Sequence, residues 1–215
     1  MRVISGRFKG VALTTPKAGT RPTTDRTKEA IFSHLDSWGV LDDARVLDLF
    51  AGTGALGIEA LSRGARELVA VESSAPAAAL IAQTLTALKH NRSWELGMSA
   101  RVIKARAEKY AACASAVAPF DVIFIDPPYA FETEACNQLL ADLASRELTS
   151  SNTVIMLERS TRSEEPTAPE TGKSPIGAIM AKPPSTTLNP ASQSQITVSI
   201  IARKNLRLFR VKTSV

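Results

Sequence analysis

The sequence has few residues of the types that build disulfide scaffolds or zinc sites. Cysteine occurs twice, at Cys113 and Cys136, and histidine twice, at His34 and His90. Two cysteines are too few for a disulfide framework, so a reducing compartment, the cytoplasm, is the expected location. Cysteine and histidine also lack the spacing of zinc ligands, and we therefore predict no metal site.

Long apolar runs are also missing. No stretch of the chain approaches the ~20 apolar residues that a membrane-spanning helix needs, and residues 1–10 hold no continuous apolar segment of the kind that defines a secretory signal. We therefore expect no membrane association. The length of 215 residues favours one α/β domain with appendages over two complete domains.

Charge is unevenly distributed along the chain. Residues 1–28 carry a net charge of +6 and residues 203–215 carry +5, whereas the whole chain carries only +5 and the part between is therefore at −6. Basic segments at both ends of an acidic body indicate a surface that binds a polyanion.

Hydrophobic periodicity predicts strands that alternate with helices. Short apolar strands joined by helices predict right-handed crossovers and a parallel sheet covered on both faces. The predicted strands are 45–50, 67–72, 100–104, 120–125 and 153–158, and the predicted helices are 26–35, 55–63, 75–90, 106–114 and 132–145. We predict an α/β fold, Rossmann-like and doubly wound, with a mostly parallel seven-stranded sheet.

Two further segments flank this core. Residues 2–4 and 8–13 predict a small N-terminal β-hairpin, and residues 196–202 and 206–211 predict an antiparallel C-terminal hairpin on the sheet edge. Residues 163–195 hold six of the twelve prolines and predict a flexible insertion. The expected division is therefore 1–24 for the basic hairpin and loop, 25–162 for the core, 163–195 for the insertion and 196–215 for the C-terminal strands.

A glycine motif follows the first core strand. Gly52, Gly54 and Gly57 match the G-x-G-x-x-G pattern between a strand and a helix, and Glu72 ends the next strand, where a carboxylate can accept ribose hydroxyls. Asp48 precedes the turn, where it would repel a pyrophosphate but attract the ammonium of a methionine-like tail. These acids favour S-adenosylmethionine over NAD as the cofactor.

A second motif, Asp126-Pro127-Pro128-Tyr129, follows the apolar run 121–125. The two prolines lack N–H donors, so nearby carbonyls can accept hydrogen bonds from a ligand, and Tyr129 offers a ring on which a base can stack. A turn that merely ends a strand is the alternative interpretation. With a cofactor site beside it, the motif predicts a clamp for a planar substrate that carries an exocyclic amine.

The two motifs together resemble class I S-adenosylmethionine-dependent methyltransferases that act on exocyclic amines. Segments 2–10, 21–26 (Arg-Pro-Thr-Thr-Asp-Arg) and 28–32 narrow the resemblance to the bacterial 16S ribosomal RNA guanine-N2 methyltransferase family of the RsmD type. The resemblance covers residues 1–160. It implies cofactor contacts from Asp48, Phe50, Ala51, Gly52, Thr53, Gly54, Gly57, Glu72 and Ala107, and RNA contacts from Arg7, Lys9, Arg21, Thr24 and Arg26.

The resemblance also implies a reaction. Asp126 and the carbonyl of Pro127 would accept the two hydrogens of the guanine amine, while Tyr129 stacks on the base, which must be unpaired or flipped. Ribosomal RNA, free or within the assembling small subunit, is the expected partner of a monomeric enzyme. The chain departs from the family at Arg106, where an acidic or amide residue near the adenine is common; backbone groups or Glu108 would have to replace that contact.

Two alternatives remain at this point. One keeps the cofactor and changes the substrate to the N6 amine of adenine in DNA, although the small N-terminal segment is unlike a large base-reading domain. The other is a noncatalytic RNA-binding assembly protein that retains the fold; the acids Asp48, Glu72 and Asp126 argue against it.

Overall fold

The fold is described from a computed structural model that covers residues 1–14, 25–115 and 117–159, together with the backbone of 195–202, 205–208 and 211–212. The predicted insertion 163–195, except its last residue, and the predicted RNA contacts Arg21 and Thr24 lie outside these residues. In chain order the elements are α1 (Asp25–Trp38), β1 (Arg45–Leu49), α2 (Ala55–Ser62), β2 (Glu67–Glu72), α3 (Ala75–Lys89), β3 (Ser99–Lys104), α4 (Ala107–Cys113), β4 (Val122–Ile125), α5 (Thr133–Ser145), β5 (Val154–Arg159), β6 (Gln195–Ala202), β7 (Asn205–Leu208) and β8 (Val211–Lys212).

The centre of the molecule is a parallel sheet in the order β3-β2-β1-β4-β5. The strand order reverses between β1 and β4, and in open α/β sheets ligands bind at such a switch point, beyond the carboxyl ends of the strands. The predicted Rossmann-like parallel sheet is thus confirmed, with five parallel strands at its centre instead of seven. The order also places the two sequence motifs on neighbouring strands.

The C-terminal strands are described by their backbone. Strand β6 pairs in parallel with β5, and it pairs antiparallel with both β7 and β8. The second predicted strand, 206–211, is divided between β7 and β8.

Alternating residues of the parallel strands pack into two separate layers of core. Val46, Phe124 and Met156 face one layer with apolar side chains of α1, α2 and α3. Leu47 and Ile123 face the other layer with those of α4 and α5. Strands that are buried on both faces appear in the sequence as continuous apolar runs. The sequence pattern could therefore predict where these strands lie.

The N-terminal segment, residues 1–14, is not the regular hairpin that the sequence predicted. Its two halves share one antiparallel bridge, between Arg2 and Ala12, and the N–H groups of Val3, Gly10 and Leu13 donate across it to the carbonyls of Val11, Val3 and Met1. The backbone N–H groups of Ile4 and Ser5 instead donate to the Glu59 carboxylate, at 2.8 and 3.0 Å. Because these donors bond to α2, they cannot form the ladder of a hairpin, and the segment becomes part of the core.

Two further contacts hold the N-terminal segment on the helices. Gly6 has a φ of +76°, and a Cβ at this position would lie 1.9 Å from the Ser62 carbonyl oxygen. Lys28 is fully buried and its Nζ donates to the Arg2 carbonyl at 2.7 Å. Asp25, the first residue of α1, lies 3.6 Å from the Lys28 ammonium.

Candidate active site

The glycine turn between β1 and α2 has the left-handed backbone that glycine favours. Gly52 and Gly54 have φ angles of +57° and +73°, and the preceding Phe50 has +62°. A positive φ at a phenylalanine is uncommon and costs about 1–3 kcal/mol, as such strained positions do at ligand sites. A Cβ at Gly57 would lie 2.5 Å from a Leu68 methyl carbon, so this glycine lets α2 approach the sheet.

Glu72, at the end of β2, fixes the shape of this turn. Its carboxylate accepts hydrogen bonds from the backbone N–H of Gly52 at 2.8 Å and of Ser74 at 2.6 Å. A carboxylate offers about four acceptor positions, so these bonds leave capacity for the ribose hydroxyls that the sequence motif predicts here.

Asp48, one residue before the end of β1, is buried beneath the turn. Its Oδ2 accepts a hydrogen bond from the Gly57 N–H at 2.9 Å. Burial raises the pKa of Asp48 to about 7, against the lowering effect of the Gly57 bond, and the negative charges of Asp126 and Glu72 raise it further. A cation bound next to Asp48 would relieve this cost, because opposite charges attract strongly at short range.

The Asp-Pro-Pro-Tyr motif follows β4 directly and lies beside the glycine turn. Asp126 is half-buried, whereas Tyr129 is 61% exposed. The Phe131 N–H donates to the Pro128 carbonyl at 2.8 Å, which closes a turn after the motif. Phe131 then packs edge-on against Phe50, with 5.1 Å between ring centroids. This aromatic pair joins the two motifs into one site.

Four carboxylates lie on one face of the sheet at its carboxyl edge. Asp48 is paired in register with Ala70 of β2 and Phe124 of β4, and Phe124 is paired with Met156 of β5. Two residues beyond these partners stand Glu72, Asp126 and Glu158, on the same face because side chains alternate along a strand.

The sequence analysis did not identify Glu158. It stands one residue before the end of β5, no short motif surrounds it, and only the strand order shows that it neighbours Asp126. Burial raises the pKa of Glu158 to about 7, with a further contribution from the negative charge of Asp126.

These residues fit S-adenosylmethionine. The glycine turn offers an open backbone, since a Cβ at Gly52 would meet nothing closer than 3.9 Å. The carboxylates Asp48 and Glu72 match an ammonium group and a pair of ribose hydroxyls, and the concentration of negative charge suits a cofactor that carries a sulfonium.

Around the predicted adenine position, Ala107 is buried at the start of α4. Arg106 is exposed, and its guanidinium donates to Glu108 at 2.9 Å. Glu108, considered above as a replacement adenine contact, therefore already binds its neighbour.

The predicted RNA contacts differ in their surroundings. Lys9 and Arg26 are exposed. Arg7 instead forms an ion pair with Glu95 at 2.6 Å and a contact with the Met98 sulfur at 3.3 Å. Met1 lies beside the glycine turn, with its sulfur 3.9 Å from the Thr53 hydroxyl, so the N-terminal segment borders the site.

The described residues hold neither a metal-binding cluster nor a membrane-spanning helix. None of these residues form a group of three acids, histidines or cysteines that could hold a metal ion. No helix in the described part of the chain is long and apolar enough to cross a membrane.

Comparison with known proteins points to one family. The model of the family described as "Conserved hypothetical protein 95" matches residues 1–174. The chain is 37% identical over 130 residues to Ribosomal RNA small subunit methyltransferase D of Escherichia coli K12, an alignment that covers 60% of each protein. It is 31% identical over 159 residues to the protein of the same name from Haemophilus influenzae, covering 74% of this chain and 78% of the relative. The chain thus spans less than two thirds of the Escherichia coli relative.

A solved structure agrees with the sequence matches. The structure of the Escherichia coli protein yhhF superposes with a TM-score of 0.67 and 28% identity, and the match covers 83% of this chain and 92% of that one.

Proposed function

The chain belongs to the Conserved hypothetical protein 95 family, as the RsmD-type resemblance predicted, and from this membership we propose that it is an S-adenosylmethionine-dependent methyltransferase of 16S ribosomal RNA. We further propose that it methylates the exocyclic N2 amine of a guanine. The observation that carries the proposal is the arrangement of Asp48, Glu72 and Asp126 on one sheet face around the glycine turn.

The cofactor would be held by the turn and its acids. Asp48 would bind the ammonium group and Glu72 the ribose hydroxyls. Phe50, Ala51, Thr53 and Ala107 would supply the remaining walls. When bound, S-adenosylmethionine supplies an electrophilic methyl group.

The chain's own contribution to the reaction is positioning and hydrogen bonding. The lone pair of a guanine amine is delocalised into the ring, and acceptors that hold both of its hydrogens release it for attack. The Asp126 carboxylate and the Pro127 carbonyl would be these acceptors, and Asp126 would take the proton that the nitrogen loses. Tyr129, well exposed beside them, would stack on the base. Fixing the amine in an attack geometry accounts for much of the rate.

The N-terminal segment would provide part of the RNA surface. Lys9 of this segment and Arg26 of α1 are exposed, and Arg7, Arg21 and Thr24 complete the proposed set of contacts. We also propose a monomeric enzyme of the cytoplasm that meets its RNA either free or in the assembling small subunit. The division at residues 24, 162 and 195 and a C-terminal hairpin on the sheet edge belong to the same proposal, supported by the backbone pairing of β6 with β5 and β7.

The test is to incubate the protein with methyl-labelled S-adenosylmethionine and, separately, 16S rRNA, small subunits, 23S rRNA and DNA. Digestion to nucleosides then identifies the product. We expect N2-methylguanosine from the small-subunit RNA alone. N6-methyladenine from DNA would favour the alternative substrate. Binding of RNA without any transfer of label would favour a noncatalytic assembly protein.

A further inference from the structure

Glu158 has no part in the reaction proposed above, although it lies beside Asp126. Strands β4 and β5 are paired in register from Val122 with Val154 to Ile125 with Leu157, so Asp126 and Glu158 are the next residues on neighbouring strands. Adjacent strands lie about 5 Å apart. Both side chains continue the alternation of Phe124 and Met156, and they therefore leave the sheet on the same face.

The spacing between the Asp126 and Glu158 carboxylates suits two neighbouring hydrogen-bond donors on a single base. Guanine presents its N1–H next to the N2 amine, whereas adenine has an N1 lone pair. An acceptor at the end of β5 would meet N1 when an acceptor at the end of β4 holds the amine. A carboxylate retains acceptor positions alongside any other contact that it makes, because it has about four of them.

We propose that Glu158 reads the target base: its carboxylate accepts the N1–H of guanine and repels the N1 lone pair of adenine. This inference rests on the proposed function. It makes Glu158 the residue that selects guanine, because a site built to accept a hydrogen bond rejects a base that lacks the donor. Because burial and the charge of Asp126 raise the pKa of Glu158 to about 7, the carboxylate form that makes this contact becomes the major form only above that pH.

The test compares two bases that both carry an amine at C2. Synthetic 16S rRNA would hold either guanine or 2-aminopurine, whose N1 is an acceptor, at the position mapped by nucleoside analysis. The values of kcat/KM are measured for the wild type, Glu158→Gln and Glu134→Gln, a control at an exposed residue of α5. An amide can donate to the N1 of 2-aminopurine, so the preference of Glu158→Gln for guanine should fall at least about tenfold. The control should keep the wild-type preference.

The possible outcomes are separable. An unchanged preference in Glu158→Gln, with guanine methylated by the wild type, would overturn the role of Glu158 alone. A wild type that does not methylate guanine would overturn the proposed function and this inference together. If Glu158→Gln lowers the melting temperature, Glu158→Asp retains the charge and should keep the preference for guanine at a lower rate; loss of the preference in that variant would contradict the proposal.

Discussion

Two carboxylates, Asp48 and Glu59, are buried within eleven residues of each other in sequence, but their surroundings differ. Glu59 accepts two backbone N–H groups of the N-terminal segment and has the cations Arg63 and Lys28 at 3.0 and 3.7 Å. Asp48 has a hydrogen bond from Gly57, and its charged neighbours are the acids Asp126 and Glu72. Glu59 thus stabilises the fold through its partners, whereas the charge of Asp48 is unfavourable in the folded protein until a cation binds there, as we propose.

The largest stability change is expected at Glu59. Replacing Glu59 by Gln removes the charge that balances the buried Lys28 and weakens the attachment of the N-terminal segment. Breaking a buried ion pair typically costs about 3–5 kcal/mol. Chemical denaturation should show a loss of this size. The control is Glu29→Gln, whose exposed carboxylate also pairs with Arg63 at 3.0 Å and should change stability by less than about 1 kcal/mol. Equal losses in both variants would contradict the structural role of Glu59.

At Asp48 a substitution is expected to raise the stability of the protein, the opposite of the change at Glu59. The raised pKa means that the folded protein keeps a proton there that the unfolded chain releases near the ordinary value of 3.8, so wild-type stability falls as pH rises towards about 7. Asparagine does not titrate, so the stability of Asp48→Asn should not show this fall with pH. Relative to the wild type it should gain about 2–3 kcal/mol between pH 5 and pH 7, measured by denaturation at several pH values. Asp42→Asn, at an exposed site, should show no such gain. A difference in stability between Asp48→Asn and the wild type that does not change with pH would contradict this explanation.

The affinity for the cofactor should rise with pH, whereas the stability of the wild type falls. S-adenosylhomocysteine carries the same ammonium group, and it should bind best when Asp48 is ionised. With a pKa of about 7 in the free protein, affinity should rise about tenfold from pH 6 to pH 8. Isothermal titration calorimetry measures this directly. In Asp48→Asn the affinity should be lower and its dependence on pH flatter. A wild-type affinity that falls over this range would contradict the assignment of Asp48 to the ammonium.

The smallest effect is expected from a charge reversal on the proposed RNA surface. Lys9→Glu should weaken RNA binding and lower the slope of log affinity against log salt by about 1, as the loss of one phosphate contact does. Lys109→Glu changes the same charge on α4, across the sheet from the N-terminal segment, and should leave the slope unchanged. Filter binding over a range of salt concentrations compares them. Identical slopes for the two variants would exclude Lys9 from the RNA surface.

Much of the core could be predicted because its signals are local. The strand predicted at 67–72 is observed at Glu67–Glu72, and the helix predicted at 75–90 is observed at Ala75–Lys89. Continuous apolar runs and the Gly-x-Gly turn specify such elements with no knowledge of distant contacts. The proposed cofactor acids were predicted in the same way, because Glu72 ends β2 and Asp48 stands one residue before the end of β1, each at a fixed distance from the glycines.

The features that sequence reasoning missed depend on contacts between distant segments. Lys28 counts towards the basic charge of residues 1–28, but it is buried, with Arg2 and Glu59 as its partners. Arg7 reads as a free phosphate contact, but Glu95 pairs with it from 88 residues away. Glu158 joins the site only because β5 lies next to β4. Pairings of this kind follow from the strand order and from loop positions, which no local pattern encodes.

If the carboxyl edge around Asp126 performs methyl transfer as we propose, a single-turnover assay of Asp126→Ala with the small-subunit RNA is decisive. Removing the acceptor should lower the transfer rate by about 100–10,000-fold, the range for a positioned proton acceptor. The affinity for S-adenosylhomocysteine should stay within about threefold, since Asp126 is assigned to the substrate and not to the cofactor. Asp42→Ala should transfer at the wild-type rate. An Asp126→Ala protein that transfers methyl groups at close to the wild-type rate would contradict the role proposed for Asp126.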